Sequence, residues 1–122
     1  MKLTIPNHRP ISWNRLYTQR HWSKRKALAD EAHLLTLAAI EPDAQPFTAP
    51  VSITVTAYNR KPLDADNIAS KLYIDGLKNR LIEDDSPAYV HNVTTRSFKG
   101  DPRVEIEINE LLHDADRGID GA

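Results

Sequence analysis

The chain has 122 residues, enough for one compact domain with a modest core. It has no cysteine, which excludes disulfides and thiolate metal sites, so a bound metal must take oxygen or imidazole ligands. The net charge of −1 conceals a segregation: residues 1–29 carry seven Lys/Arg and no acid, and the remainder hold nine basic against 17 acidic residues. This pattern fits an N-terminal arm that neutralises phosphates, and equally a solvated basic face balanced by acidic neighbours in the fold.

With 40% hydrophobic and 27% charged residues, the composition is that of a soluble globular protein. The longest apolar run, 34–40, falls far short of the ~20 residues that span a bilayer. The N-terminus has no signal-peptide core, so cytoplasmic residence without membrane attachment is the expectation.

In chain order, residues 3–5 form a short strand stopped by Pro6, and residues 6–22 read as irregular. Ser23 is positioned to cap a helix over about 24–40, with Ala27, Leu28, Leu34, Leu35 and Ala38 able to share one side. A proline-containing loop leads to residues 51–58, where Val51, Ile53, Val55 and Ala57 alternate with Ser52, Thr54, Thr56 and Tyr58, as in a half-buried strand. A second helix is predicted from about 66 to 81. Residues 89–98 and 103–109, separated by Lys99-Gly100-Asp101-Pro102, read as a β-hairpin. The order β-α-β-α-β-β predicts a single small α/β (α+β) domain over residues 1–112, with 113–122 as an acidic tail expected to be disordered.

The informative stretch runs from Arg60 to Ser86. Asp64 and Asp66 alternate just before the predicted helix, so an extended backbone would point both carboxylates the same way. Asp84 and Asp85 follow that helix. A helical projection gathers Asn67, Lys71, Asp75 and Lys78 into a narrow polar stripe on an otherwise apolar surface, as for a buried helix with one edge on a cleft. A single aspartate here is more often a helix cap than a ligand. Two alternating acids, a further acidic pair and a cation on the polar stripe are harder to explain by capping. An EF-hand reading fails, because Ile68 occupies the third ligand position and Ala69 the required glycine.

These residues carry a resemblance. Asp64-x-Asp66-Asn67, then Lys71, Asp75-Gly76-Leu77 and Asp84-Asp85-Ser86 before an apolar strand resemble the RusA-type Holliday-junction resolvases, as does the loop with Ser12, Asn14 and Tyr17 before a helix. The resemblance covers residues 3–110. It implies a fold with a mixed sheet and two helices, and a homodimeric endonuclease that cuts four-way DNA junctions symmetrically with magnesium, manganese being the alternative ion. It assigns Asp64, Asp66 and Asp85 as catalytic metal ligands and Lys71 as the cation that neutralises charge on the scissile phosphate. Counted from the first acid, the lysine stands one position later than in the family pattern. Its spacing of four to Asp75 is kept, so Lys71 rather than Ser70 is assigned.

Asn14, Arg15, Arg20, Lys24, Arg25 and Arg60 are the candidates for DNA contact, with backbone contacts that position the duplex without reading bases. Trp13, Tyr17 and Trp22 are candidates for stacking on unpaired bases, although core packing is the favoured role for Trp22. His91 is expected to be a structural or surface residue. The rival readings are a non-catalytic nucleic-acid-binding module, a less selective branched-DNA nuclease, and an interaction protein from a mobile element that has lost catalysis.

Overall fold

The computed structural model describes residues 1–111; the tail predicted at 113–122 lies outside them. Four strands, β1 (Lys2–Pro6), β2 (Val51–Asn59), β3 (Val90–Lys99) and β4 (Arg103–Glu110), form one mixed sheet in the order β1-β4-β2-β3. β4 is antiparallel to both β1 and β2, and β3 runs parallel to β2 along the outer edge.

Alternation builds the core. Val51, Ile53, Val55 and Ala57 lie beside Val104, Ile106 and Ile108, with Leu3 and Ile5 beyond them, and all are buried. Each full burial of such a side chain contributes about 1.5–3 kcal/mol relative to exposure. Two helices belong to the same core: α2 (Trp22–Ala39), preceded by a short helix α1 (Trp13–Tyr17), and α3 (Ser70–Ile74) with the 3₁₀ turn Asp75–Leu77.

The structure corrects four of the sequence expectations. The last two strands do not form a hairpin, because β2 lies between them. The sheet spacing of ~4.8 Å per strand makes this crossing about 10 Å wide, within reach of residues 100–102. The Gly100 N–H donates to the Asn59 carbonyl (3.0 Å), tying the connection to the end of β2. The helix predicted at 66–81 is broken into a 3₁₀ turn (Ala65–Asn67), the five-residue α3 and a second 3₁₀ turn. The break has a tertiary cause: Ile68 is extended and bridges Ser12, and the Ala69 N–H donates to the Ile11 carbonyl (3.0 Å). Asn79, with a left-handed φ of 63°, then turns the chain after Lys78 leaves the helical region.

α2 begins two residues earlier than expected. Its N-cap is His21 rather than Ser23, and no side chain caps it. Its inward stripe is the buried Ala32 and Thr36 with the half-buried Leu28, Leu35 and Ala39, whereas Leu34 is 62% exposed and Ala27 and Ala38 face solvent. Small residues let α2 come close to the turn after α3. A Cβ on Gly76 would lie 2.7 Å from Thr36 Cβ and 2.8 Å from the His33 carbonyl oxygen, so only glycine fits there. The segment 6–22, read as irregular, contains α1, started by Ser12, whose Oγ accepts from the Arg15 N–H (2.9 Å).

Candidate active site

β2 delivers the chain to the acidic turn. Asp64 is extended (φ −65°, ψ 140°) and its carbonyl accepts the Asn67 N–H (2.9 Å), but its carboxylate caps nothing. Asp66 sits within the 3₁₀ turn, so the two acids are not related by strand alternation; they share one short exposed turn. Among the described residues neither carboxylate forms an ion pair. The capping explanation therefore does not account for Asp64.

The N-terminal loop is fastened to this turn. Beside the Ser12–Ile68 bridge, the Asn14 N–H donates to Asn67 Oδ1 (3.1 Å). Beneath it, the buried Tyr73 hydroxyl accepts from the Ile11 N–H (3.0 Å) and lies 2.7 Å from His8 Nε2. Burial pushes the Tyr73 hydroxyl far above its ordinary range and holds His8 below its usual value. The phenol oxygen accepts from the Ile11 backbone and shares a hydrogen bond with the imidazole. This pairing, 65 residues apart in sequence, carries no local signal.

Asp85 lies in a different electrostatic setting. Its Oδ2 accepts from Lys71 Nζ (3.0 Å) and is 3.4 Å from Lys78 Nζ. Asp75 Oδ1 meets the same two ammoniums at 3.4 and 3.3 Å. The four side chains thus form a closed square of alternating charge. The hydrogen bond from Lys71 holds the Asp85 carboxyl below its usual range, and the same bond raises Lys71. Lys78 is raised chiefly by its hydrogen bond to Asp75. The square borders a cleft of about 210 Å³ lined by Ser70, Lys71, Ile74, Asp85, Val90 and Val93. Ser70 and Lys71, the two positions weighed for the family's lysine, both border it.

The fold therefore joins Lys71 to Asp85 and places Asp64 with Asp66 on one turn. Among the described residues no three Asp, Glu or His side chains are gathered into a ready-made metal cage. The donor set nonetheless fits a hard divalent cation. Magnesium takes oxygen ligands, usually one or two protein carboxylates with waters and substrate phosphate, and Asp64 and Asp66 are exposed and, among the described residues, unpaired. Lys78 and Asp75 are the site neighbours whose part was not assigned from sequence. The polar stripe of the helical projection was their signal.

The basic arm is accessible. Asn14, Arg20, Lys24 and Arg25 are exposed, and Arg60 is exposed near Lys99. Arg15 is half-buried in a second cleft with Gln19, Lys24 and Glu31, and its Nη1 is buried without a hydrogen-bond partner among the described residues. α2 has no acid in its first turn, so its dipole adds to this positive end. Trp22, expected in the core, is 74% exposed, while Trp13 packs on the core and stacks on Tyr17. Helix α2 begins at Trp22, within the exposed basic segment. His91 is at the surface.

A four-stranded mixed sheet with few helices, an exposed acidic turn and a lysine–aspartate cleft make up a small single α/β domain. The sequence model of the endodeoxyribonuclease RusA family matches residues 5–109, and the chain belongs to that family. No curated protein and no solved structure matches the chain. No described helix is long and apolar enough to cross a membrane.

Proposed function

We propose that the protein is a magnesium-dependent endonuclease that resolves four-way DNA junctions by paired phosphodiester hydrolysis in cytoplasmic recombination and repair, with manganese as a substitute ion. The observation that carries this reading is that the family match spans Asp64, Asp66, Lys71 and Asp85, and the fold brings Lys71 to Asp85 at one cleft. Asp64, Asp66 and Asp85 would hold the ion, which supplies Lewis acidity and an activated water when bound. Lys71 places its ammonium where charge accumulates on the phosphate under attack. Asn14, Arg15, Arg20, Lys24, Arg25 and Arg60 hold the DNA backbone against the repulsion of the acids. A homodimer gives two sites related by a twofold axis, so paired cuts follow from symmetry.

The test is a labelled synthetic four-way junction and a linear duplex, each incubated with magnesium or with EDTA. Symmetric nicks on the junction alone, only with magnesium, are expected. Equal cutting of duplex, flaps and forks would replace junction resolution with a less selective branched-DNA nuclease. Metal-independent cutting or none would overturn the assignment.

A further inference from the structure

The closed square around Asp85 has a thermodynamic consequence. One oxygen, Asp85 Oδ2, serves both ammoniums, and each ammonium bridges Asp85 and Asp75. The four charges cancel, so a divalent cation approaching Asp85 finds a neutralised carboxylate with two cations against it. A phosphate approaching the cleft finds two ammoniums already held by carboxylates. The ammoniums cannot serve the phosphate and the carboxylate equally well, and neither can the carboxylate serve ion and ammonium equally well.

We propose that Lys78 is a positioning residue that, with Lys71 and Asp75, makes divalent-cation binding at Asp85 and DNA-phosphate binding in the cleft mutually reinforcing. The inference rests on the reading of Asp85 as an ion ligand. Phosphate draws the ammoniums away from Asp85 and exposes its charge to the ion. The ion, on taking Asp85, frees the ammoniums for phosphate. Such coupling is reciprocal by linkage: whatever factor DNA adds to cation affinity, the cation adds to DNA affinity. Lys71 is the catalytic cation of the pair. Lys78 acts through Asp85 and Asp75, and it is the less exposed of the two, which restricts its reach.

Two measurements on the full chain test this without any cleavage. The first is Mn²⁺ binding to the protein alone, read by electron paramagnetic resonance. The Lys78→Gln variant removes one competing ammonium and leaves the square net negative, so Mn²⁺ should bind about 2- to 5-fold tighter than to the wild type, the range of an exposed ion pair. The second is four-way-junction affinity by fluorescence anisotropy in EDTA and in Ca²⁺. Wild type should bind the junction tighter in Ca²⁺, and Lys78→Gln should lose most of that gain. Lys78→Arg keeps the charge and should restore both wild-type values, which a merely structural role would not require. Unchanged or weaker Mn²⁺ binding in Lys78→Gln, or an undiminished Ca²⁺ gain, overturns the proposal. If the protein proves not to be a nuclease, cleavage fails while these two binding measurements still give their answer.

Discussion

Removing one oxygen atom from the centre of the fold, as in Tyr73→Phe, should be costly. The Tyr73 hydroxyl is fully buried and serves two partners that solvent cannot replace: the Ile11 N–H at 3.0 Å and His8 Nε2 at 2.7 Å. Ile11 is itself 0% exposed, so its amide would lose its acceptor in a dry environment, at about 1–3 kcal/mol. The imidazole of His8 would lose its hydrogen-bond partner, at about 1 kcal/mol more. The expected loss is therefore about 2–4 kcal/mol, a large fraction of a typical 5–15 kcal/mol stability. With a urea m-value of about 2 kcal/mol/M, the unfolding midpoint should fall by about 1–2 M. The exposed Tyr17 supplies the control, since Tyr17→Phe should change stability by no more than about 0.5 kcal/mol. Equilibrium urea unfolding followed by circular dichroism reads both. A midpoint shift for Tyr73→Phe no larger than that of Tyr17→Phe would refute the reasoning, because the polar pair would then contribute nothing to holding residues 8–11 against α3.

Four further outcomes are expected. Gly76→Ala should destabilise the protein by about 1–3 kcal/mol in the same assay, because its new methyl would press on Thr36 and on the His33 carbonyl. The histidine at position 8 has a folded-state pKa below its ordinary 6.5, so the unfolded chain binds the extra proton first; the stability held above pH 6.5 should fall as pH drops from 7 to 5.5, and this slope should flatten in His8→Gln. Asp66→Asn should abolish magnesium-dependent junction cleavage while gel-shift binding in EDTA is kept or strengthened, since one repulsive charge is removed. Replacing Arg20, Lys24 and Arg25 together with Ala should weaken junction binding at all sequences and reduce the slope of log K against log salt by about 2–3; an unchanged slope would remove the arm from the DNA surface.

What the sequence revealed depended on whether the relevant signal was local. Strands β2 and β4 were legible because one buried face writes a period of two into the chain, and Val51–Ala57 and Val104–Ile108 obey it. Their neighbours were not legible. Nothing in the short link 99–102 distinguishes a turn that folds β4 back onto β3 from one that steps over β2, because that choice is made by which strands need burial on both edges. The helix at 66–81 had the right composition, yet Ile68 and Ala69 gain more from pairing with residues 11 and 12 than from a helical ladder. Tertiary pairing overrode propensity there. At the site, Asp64, Asp66, Lys71 and Asp85 were nominated by type and spacing, and Lys71 reaches Asp85 as an ion pair. The polar stripe signalled Lys78, but not its ion pair with Asp85, which depends on Asp85 returning in the loop after α3, a closure that no periodicity encodes.

The placement of charge also bears on how this chain could bind a polyanion. Residues 30–122 carry a net charge of −8, so the chain beyond the arm is acidic on balance. At the cleft the acids are handled in two different ways. Asp75 and Asp85 are neutralised internally by Lys71 and Lys78, which removes their repulsion wherever DNA enters. Asp64 and Asp66 have no such partners among the described residues, and remain the uncompensated charges of the acidic turn. On the proposed reading, a divalent ion neutralises Asp64 and Asp66 and takes Asp85 over from the lysines, which are then free for phosphate. Cation and DNA should then be taken up together, because either one alone leaves an unmatched charge next to the other's binding place.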